Sequence, residues 1–249
     1  MNDSRNQSFD NSIQKNRNFL RRTAMEAKKY SVRMRLCKTL LMALVVLVTI
    51  IYIVSVLYMK TGSFTVNLNK FDAQEYGLSL SEKKYAGDKT QFAAKTSNLN
   101  ADIAEYMTNI SEDSIPADVD MIDGVHNGDN YIAYSFYLVN TGEHDVTYEY
   151  SIVIKNITNG LDTAIRVRLY VDGEYTTYAR TRSDGMGAEP GTVEFESATT
   201  IISNRIDAFE PGTSHRYTVV VWIEGNDPDC VDALIGGTLK LDMIFRVVY

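Results

Sequence analysis

The longest feature of the hydrophobic and polar pattern is a stretch with no Asp, Glu, Lys or Arg, TLLMALVVLVTIIYIVSVLYM from Thr39 to Met59, bracketed by Lys38 and Lys60. Its β-branched content would suit a buried strand, but 21 residues is several times a normal strand length. As a helix it would extend about 32 Å, close to the ~30 Å hydrocarbon core of a bilayer. A cleaved signal peptide is the alternative. Its apolar core is usually ~7–15 residues and ends in small residues, and only Thr61-Gly62-Ser63, behind Lys60, offers such a site. The expectation is one transmembrane helix over 39–59, a basic tail and juxtamembrane segment over 1–38, and a separate domain over 60–249. Within the tail, residues 1–18 are Asn-, Ser- and Gln-rich and read as a loose segment, whereas Phe19 to Leu36 can form a helix.

Beyond Gly62 the period changes to two, in short runs divided by turn residues, the mark of an antiparallel sandwich or barrel. Phe64, Val66 and Leu68 alternate with Thr65 and Asn67, and Tyr131 to Val139 is apolar on both faces, as a central strand would be. Tyr148, Tyr150, Ile152 and Ile154 share a face, as do Ile165, Val167, Leu169 and Val171. Asp172-Gly173 then supplies a hairpin turn to a partner strand from Tyr175 to Arg180. Two Glu-Pro-Gly triplets, at Glu189 and Glu210, place Pro and Gly as a type II turn requires, ahead of strands at Val193 to Phe195 and Tyr217 to Ile223. A last strand carries Leu239, Leu241, Met243, Phe245 and Val247. Ile103, Met107 and Ile110 have helical spacing, which predicts a short helix within Asn98 to Ile110, capped by Asn98 or Asn100. The fold class expected is therefore mainly β: a jelly-roll-like antiparallel β-sandwich after one N-terminal transmembrane helix.

Charge sharpens this division. Residues 1–38 hold ten basic and three acidic side chains, net +7, and residues 60–249 hold 15 basic and 29 acidic, net −14. The acidic bulk excludes a nucleic-acid partner, since phosphates would be repelled by most of the protein. The basic residues ahead of the apolar run act as a cytoplasmic retention signal, so the expected location is the cell membrane, single-pass, with a cytoplasmic N-terminus and an extracellular C-terminal domain. Lipid is the one partner this pattern implies directly. Cys37 and Cys230 would lie on opposite sides of the bilayer and cannot pair within one chain. A single outer thiol fits a bacterial envelope without heavy disulfide use better than a eukaryotic secreted domain.

Catalytic signatures are missing: there is no HExxH, no GxSxG, no Walker loop and no GxGxxG. His126, His144 and His215 are scattered, with no ligand spacing between them. Two acidic groups invite comparison with calcium loops: Asp118, Asp120, Asp123 and Asp129 around a Gly-containing turn, and Glu224, Asp227, Asp229 and Asp232 after the Trp222 strand. Neither has EF-hand spacing, and solvated acidic turns are the ordinary reading of both. No catalytic residue, no cofactor and no metal ligand is assigned. Trp222, the single tryptophan, reads as core filler, with ligand stacking as the other possibility.

The strings GSFTVNL after the apolar run, FEPGTSHRYTVVVWIEGNDPDC at Phe209 to Cys230 and GGTLKLDMIF at Gly236 to Phe245 resemble the TasA/camelysin group of Firmicute surface proteins and related membrane-anchored proteins. The resemblance covers the opening strand and the last 40 or so residues of the outer domain, and is weaker between them. It implies a jelly-roll-like sandwich at the cell surface, where TasA-like members build extracellular-matrix fibres by strand exchange, while camelysin-like members are described as metallopeptidases. No family site residue carries over, and the basic extension and missing cleavage site set this chain apart. The expectation is a non-enzymatic surface protein presenting a β-sandwich for envelope or matrix assembly, self-associating by strand pairing through GSFTVNL. On that view Val66→Pro abolishes assembly and leaves a folded monomer. The alternatives are a binding ectodomain for an envelope polymer or partner protein, using its Asp-rich loops, and a metallopeptidase.

Overall fold

A computed structural model describes residues 21, 25, 28–29, 33–53, 64–84, 96–101 and 107–248. The chain divides into two compact units, Met1–Lys60 and Thr61–Tyr249.

In the first unit, helix α1 spans Arg33–Ile53 and is long and apolar enough to cross a membrane. Its described span begins six residues before the uncharged run, taking in Arg33, Arg35 and Lys38; Arg21, Met25, Lys28 and Lys29 ahead of it are also helical, and the far end of the run, residues 54–59, lies outside the described residues, as does the Thr61-Gly62-Ser63 site. Every residue of α1 is exposed, with Leu40, Val45, Ile51 and Tyr52 among its large apolar side chains. Its two threonine hydroxyls are satisfied within the helix, Thr39 Oγ1 donating to Leu36 O at 2.9 Å and Thr49 Oγ1 to Val45 O at 2.8 Å. From Leu40 to Ile53 that leaves an apolar surface all round, suited to a medium without hydrogen-bonding partners.

The second unit is a β-sandwich. Its elements in order are β1 (Phe64–Leu68), α2 (Lys70–Glu75), β2 (Leu78–Ser81), β3 (Asn98–Ala101), β4 (Gly124–Val125), β5 (Tyr131–Asn140), β6 (Val146–Ile157), β7 (Ile165–Val171), β8 (Glu174–Ala179), β9 (Val193–Glu194), β10 (Thr200–Phe209), β11 (Ser214–Ile223) and β12 (Leu239–Val247). One sheet has the order β10-β6-β12-β1-β3, the other β2-β5-β11-β7-β8-β9 with β4 also on β5. Alternating side chains of both sheets close the core. Tyr148, Tyr150 and Phe245 from the first meet Phe136 and Tyr217 from the second, with Phe136 stacked on Tyr217 at 5.6 Å between centroids. The Tyr148 and Tyr217 hydroxyls bond each other at 2.6 Å across the sandwich, so each buried O–H has its partner.

Most pairings are antiparallel, but β1 runs parallel to β12 and β8 parallel to β9. The first and last strands share no hairpin, so no turn geometry dictates their direction. Two expectations change, and one strand has no counterpart among them. Asn98–Ala101 is a strand, not the start of a helix, because it pairs with β1, Asn98 Nδ2 donating to Asn67 Oδ1; residues 102–106 lie outside the described residues. The strand β10 carries no clear sequence pattern: it is an edge strand exposed over Ser203–Arg205, with register shifts at both ends and Ala208 at φ 54°. Val66 is fully buried and its strand is hydrogen-bonded on both sides, so proline there removes a ladder bond or clashes within the domain itself, and a folded Val66→Pro monomer is not expected.

Candidate functional site

The second sheet is covered on both faces. Along β7, Ile165, Val167 and Leu169 face the sandwich core, while Arg166, Arg168 and Tyr170 face the other way and are equally buried. This outer face has its own small core of Ile115, Val119, Ala133, Tyr170, Val220 and Trp222, closed by the segment after Met107. That segment is held by Ile110, whose N–H donates to Ile223 O at 2.9 Å and whose carbonyl accepts from Gly225 N at 2.8 Å. Trp222 is therefore a core residue. Its Nε1–H donates to Glu224 Oε2 at 2.9 Å, and the Arg168 guanidinium lies 5.2 Å from its ring and 4.5 Å from that of Tyr175.

Where this layer ends, beyond the start of β7 and the end of β11, a polar cleft of about 440 Å³ opens. Arg166 and Glu189 line it with Asp227, Glu224, Asn226 and Thr192. The Glu189-Pro190-Gly191 turn brings Glu189 in: Thr192 N–H donates to Glu189 O at 3.0 Å and Gly191 has φ 74°, the type II geometry its sequence predicts. The Glu224–Cys230 loop brings in Asp227, with Asp229 N–H donating to Asp227 Oδ1 at 2.8 Å. Ligand oxygens of Glu189, Asp227 and Asp229 all lie within 4.8 Å of one another.

One cation sits among them. Arg166 Nη2 is 2.7 Å from Asp227 Oδ2 and 3.8 Å from Glu189 Oε2, with side-chain exposures of only 6%, 0% and 7% for Arg166, Asp227 and Glu189. The Asp227 contact lies outside hydrogen-bond geometry, so Oδ2 is a buried acceptor with an ion-pair neighbour and no hydrogen bond. Burial, then the Asp227 charge, push the Glu189 carboxyl above its ordinary range; Arg166 and Arg182 pull the other way and Asp229 adds to the rise.

The residues singled out from the sequence separate here. Asp227 and Asp229 belong to the group, with the Asp229 carboxylate steadied by Ser183, whose N–H donates to Oδ2 at 3.2 Å and whose hydroxyl donates to Oδ1. Glu224 is close by but fully engaged, accepting from Trp222 Nε1, Glu112 N and Asn226 N, and Asp232 is exposed. The other acidic set does not converge: Asp118 and Asp129 are exposed, and Asp123 accepts from the Tyr137 hydroxyl and pairs with Arg216. The histidines also stay apart. His126 bonds the Gly124 and Val119 carbonyls, His215 bonds Asp172, and His144 is exposed. Among the described residues, the one group of potential metal ligands contains no histidine and no cysteine, and both Cys37 and Cys230 are free. Sequence reading missed Glu189 and Arg166. Arg166 had a visible signal, since alternation along Ile165–Val171 places two arginines on the face opposite the apolar one.

No family model and no curated protein matches this chain. Among solved structures, it is similar to a β-glucosidase from Kluyveromyces marxianus in complex with glucose, at 8% identity over 69% of this chain and 15% of that one, with a TM-score of 0.26. It is also similar to an α-xylosidase from Xanthomonas citri, at 12% identity over 69% of this chain and 16% of that one, with a TM-score of 0.21. The chain thus spans about a sixth of the length of these enzymes, and neither their fold nor their activity transfers to it.

Proposed function

We propose that this chain is a single-pass, membrane-anchored surface protein that displays its β-sandwich outside the cell for envelope or extracellular-matrix assembly, without catalysis. The observation that carries the reading is helix α1, which from Thr39 to Ile53 carries exposed apolar side chains, no charge and threonine hydroxyls satisfied within the helix. The switch from net +7 before the uncharged run to net −14 after it sets the orientation. Because β1 is hydrogen-bonded on both sides within its own sheet, assembly through it requires strand exchange, one copy's β1 taking the place of another's between β12 and β3. The outermost strands favour controlled pairing over open-ended aggregation: β2 and β3 have four residues each, with Leu80 N–H of β2 donating to Thr96 O at 2.9 Å, β9 has two, and β10 is bulged and carries Arg205 and Asp207.

A second reading, a binding ectodomain that holds an envelope polymer or partner protein, is favoured by the polar cleft. Peptidase activity has only the family resemblance behind it.

Protease added to intact cells is expected to remove residues 60–249, and the undigested protein should retain Met1. Protection on intact cells but digestion after lysis would overturn the orientation, and a mature N-terminus near Phe64 would overturn the tether. Two differently tagged copies should co-purify from detergent-solubilised membranes; their failure to do so would leave the binding reading in place of assembly.

A further inference from the structure

We propose that Glu189, Asp227 and Asp229 bind a divalent cation of the calcium class at the cleft end of the second sheet. Three independent observations converge on it. Their ligand oxygens come within 4.8 Å of one another although they arrive on two separate loops. The buried Asp227 Oδ2 receives no hydrogen bond and has the Arg166 ion pair beside it, while Glu189, only 7% exposed, meets the same arginine at 3.8 Å. Burying a charged oxygen in this way is costly unless something else neutralises it. Finally, the cleft is lined by five carboxylates against two arginines, Arg166 and Arg182, so negative charge is in excess there.

The donor set selects the ion. All three ligands are carboxylate oxygens, with neither the imidazole nor the thiolate that zinc sites favour. The cleft has room for water, and side chains of Asn226 and Thr192 on its wall add further oxygen atoms. A flexible shell of carboxylates, amide or hydroxyl oxygens and water suits calcium's six to eight ligands better than the strict octahedron of magnesium. Affinity in the range of extracellular calcium modules, roughly 10⁻⁴–10⁻³ M, is expected, because one resident arginine already offsets part of the charge. The site is independent of the membrane reading: it can be tested on purified protein whatever side of the membrane the domain occupies.

The test uses the full chain in detergent, with thermal unfolding followed by near-ultraviolet circular dichroism in chelator and then in about 5 mM calcium chloride. Calcium should raise the melting temperature by a few degrees, as a ligand that binds only the native state does. Glu189→Gln and Asp227→Asn should lose that rise, while Glu210→Gln, in the matching turn, should keep it. Glu189→Gln preserves side-chain shape and removes a buried charge, so it stays informative even if Asp227→Asn fails to fold. Absence of a rise in the wild-type protein, or a full rise in Glu189→Gln, would overturn the site. An equal rise with magnesium chloride alone would overturn the assignment to calcium.

Discussion

The strands β7 and β11 lie side by side, and the chain makes a Glu-Pro-Gly turn near each end of the pair. Locally the two turns are twins: Thr192 N donates to Glu189 O at 3.0 Å and Thr213 N to Glu210 O at 3.3 Å, with φ 74° at both Gly191 and Gly212. Their glutamates meet different fates. Glu210 is exposed beside an end built from the solvent-facing Asp172–His215 pair, while Glu189 is buried against Arg166 and Asp227. Identical local sequence thus fixes the same backbone, and the neighbours that arrive from elsewhere in the chain decide whether its charge is idle or engaged. One end of the strand pair spends its polar groups on water; the other holds them out of it.

The largest expected break in this comparison is Arg166→Met. It leaves Glu189 and Asp227 buried without their shared cation and should cost about 3–5 kcal/mol, the usual penalty for removing one partner of a buried ion pair. Adding Glu189→Gln should restore part of that loss, and urea unfolding midpoints of the single and double variants measure the recovery. If Arg166→Met unfolds at the wild-type midpoint, the cleft is wetter than its burial implies. Next come Gly191→Ala and Gly212→Ala. Nothing lies within 4 Å of a Cβ at either position, so the cost is that of the left-handed backbone alone, about 1–2 kcal/mol and equal at the two sites. A much greater loss at Gly191 would mean that the turn is coupled to the charges it carries.

The same contrast explains what could be read from the sequence. The strands β6 and β12 announce themselves, because one period sorts their side chains between the core and the outside, whereas β7 and β11 are buried on both faces and show instead as β-branched runs bounded by turns. Both Glu-Pro-Gly turns were legible for the same reason, as Pro and Gly act on backbone angles within four residues. The edge strand β10 was not: with few buried positions and two register shifts, it has no steady period. The site was half legible. Asp227 and Asp229 stand out as neighbours in the sequence, but Glu189 lies 38 residues before Asp227, and only the packing of the two loops against Arg166 joins them. The apparent calcium loop around Asp118–Asp129 failed because Asp123 is engaged by Tyr137 and Arg216, Asp120 is half-buried towards Tyr170, and Asp118 and Asp129 turn to solvent.

The smallest effect separates the two ends by the sign of their response to acid. Burial raises the Asp172 carboxyl, but hydrogen bonds from His215 Nδ1 at 2.5 Å and Arg216 N at 2.8 Å outweigh it, so the folded value falls below the ordinary carboxylate range. A carboxyl depressed in the folded state contributes stability that is complete above its unfolded pKa, about 3.9, and is lost as pH falls through the folded value. At the cleft, the raised Glu189 works in the opposite direction: its contribution is complete below the unfolded glutamate pKa and is lost as pH rises through the folded value. Asp172→Asn tests the exposed end with little disturbance, since Asn also tolerates the φ of 53° at this turn and keeps an oxygen acceptor. Because the side chain is 48% exposed, solvent screening holds the expected loss at neutral pH to about 0.5 kcal/mol. Urea midpoints of wild type and variant, measured in calcium-free buffer from neutral to acid pH, should converge at the acid end as the wild-type carboxyl takes up its proton. A gap that stays constant across the whole range would assign the effect to hydrogen-bond geometry, and the exposed end would then owe nothing to its charge.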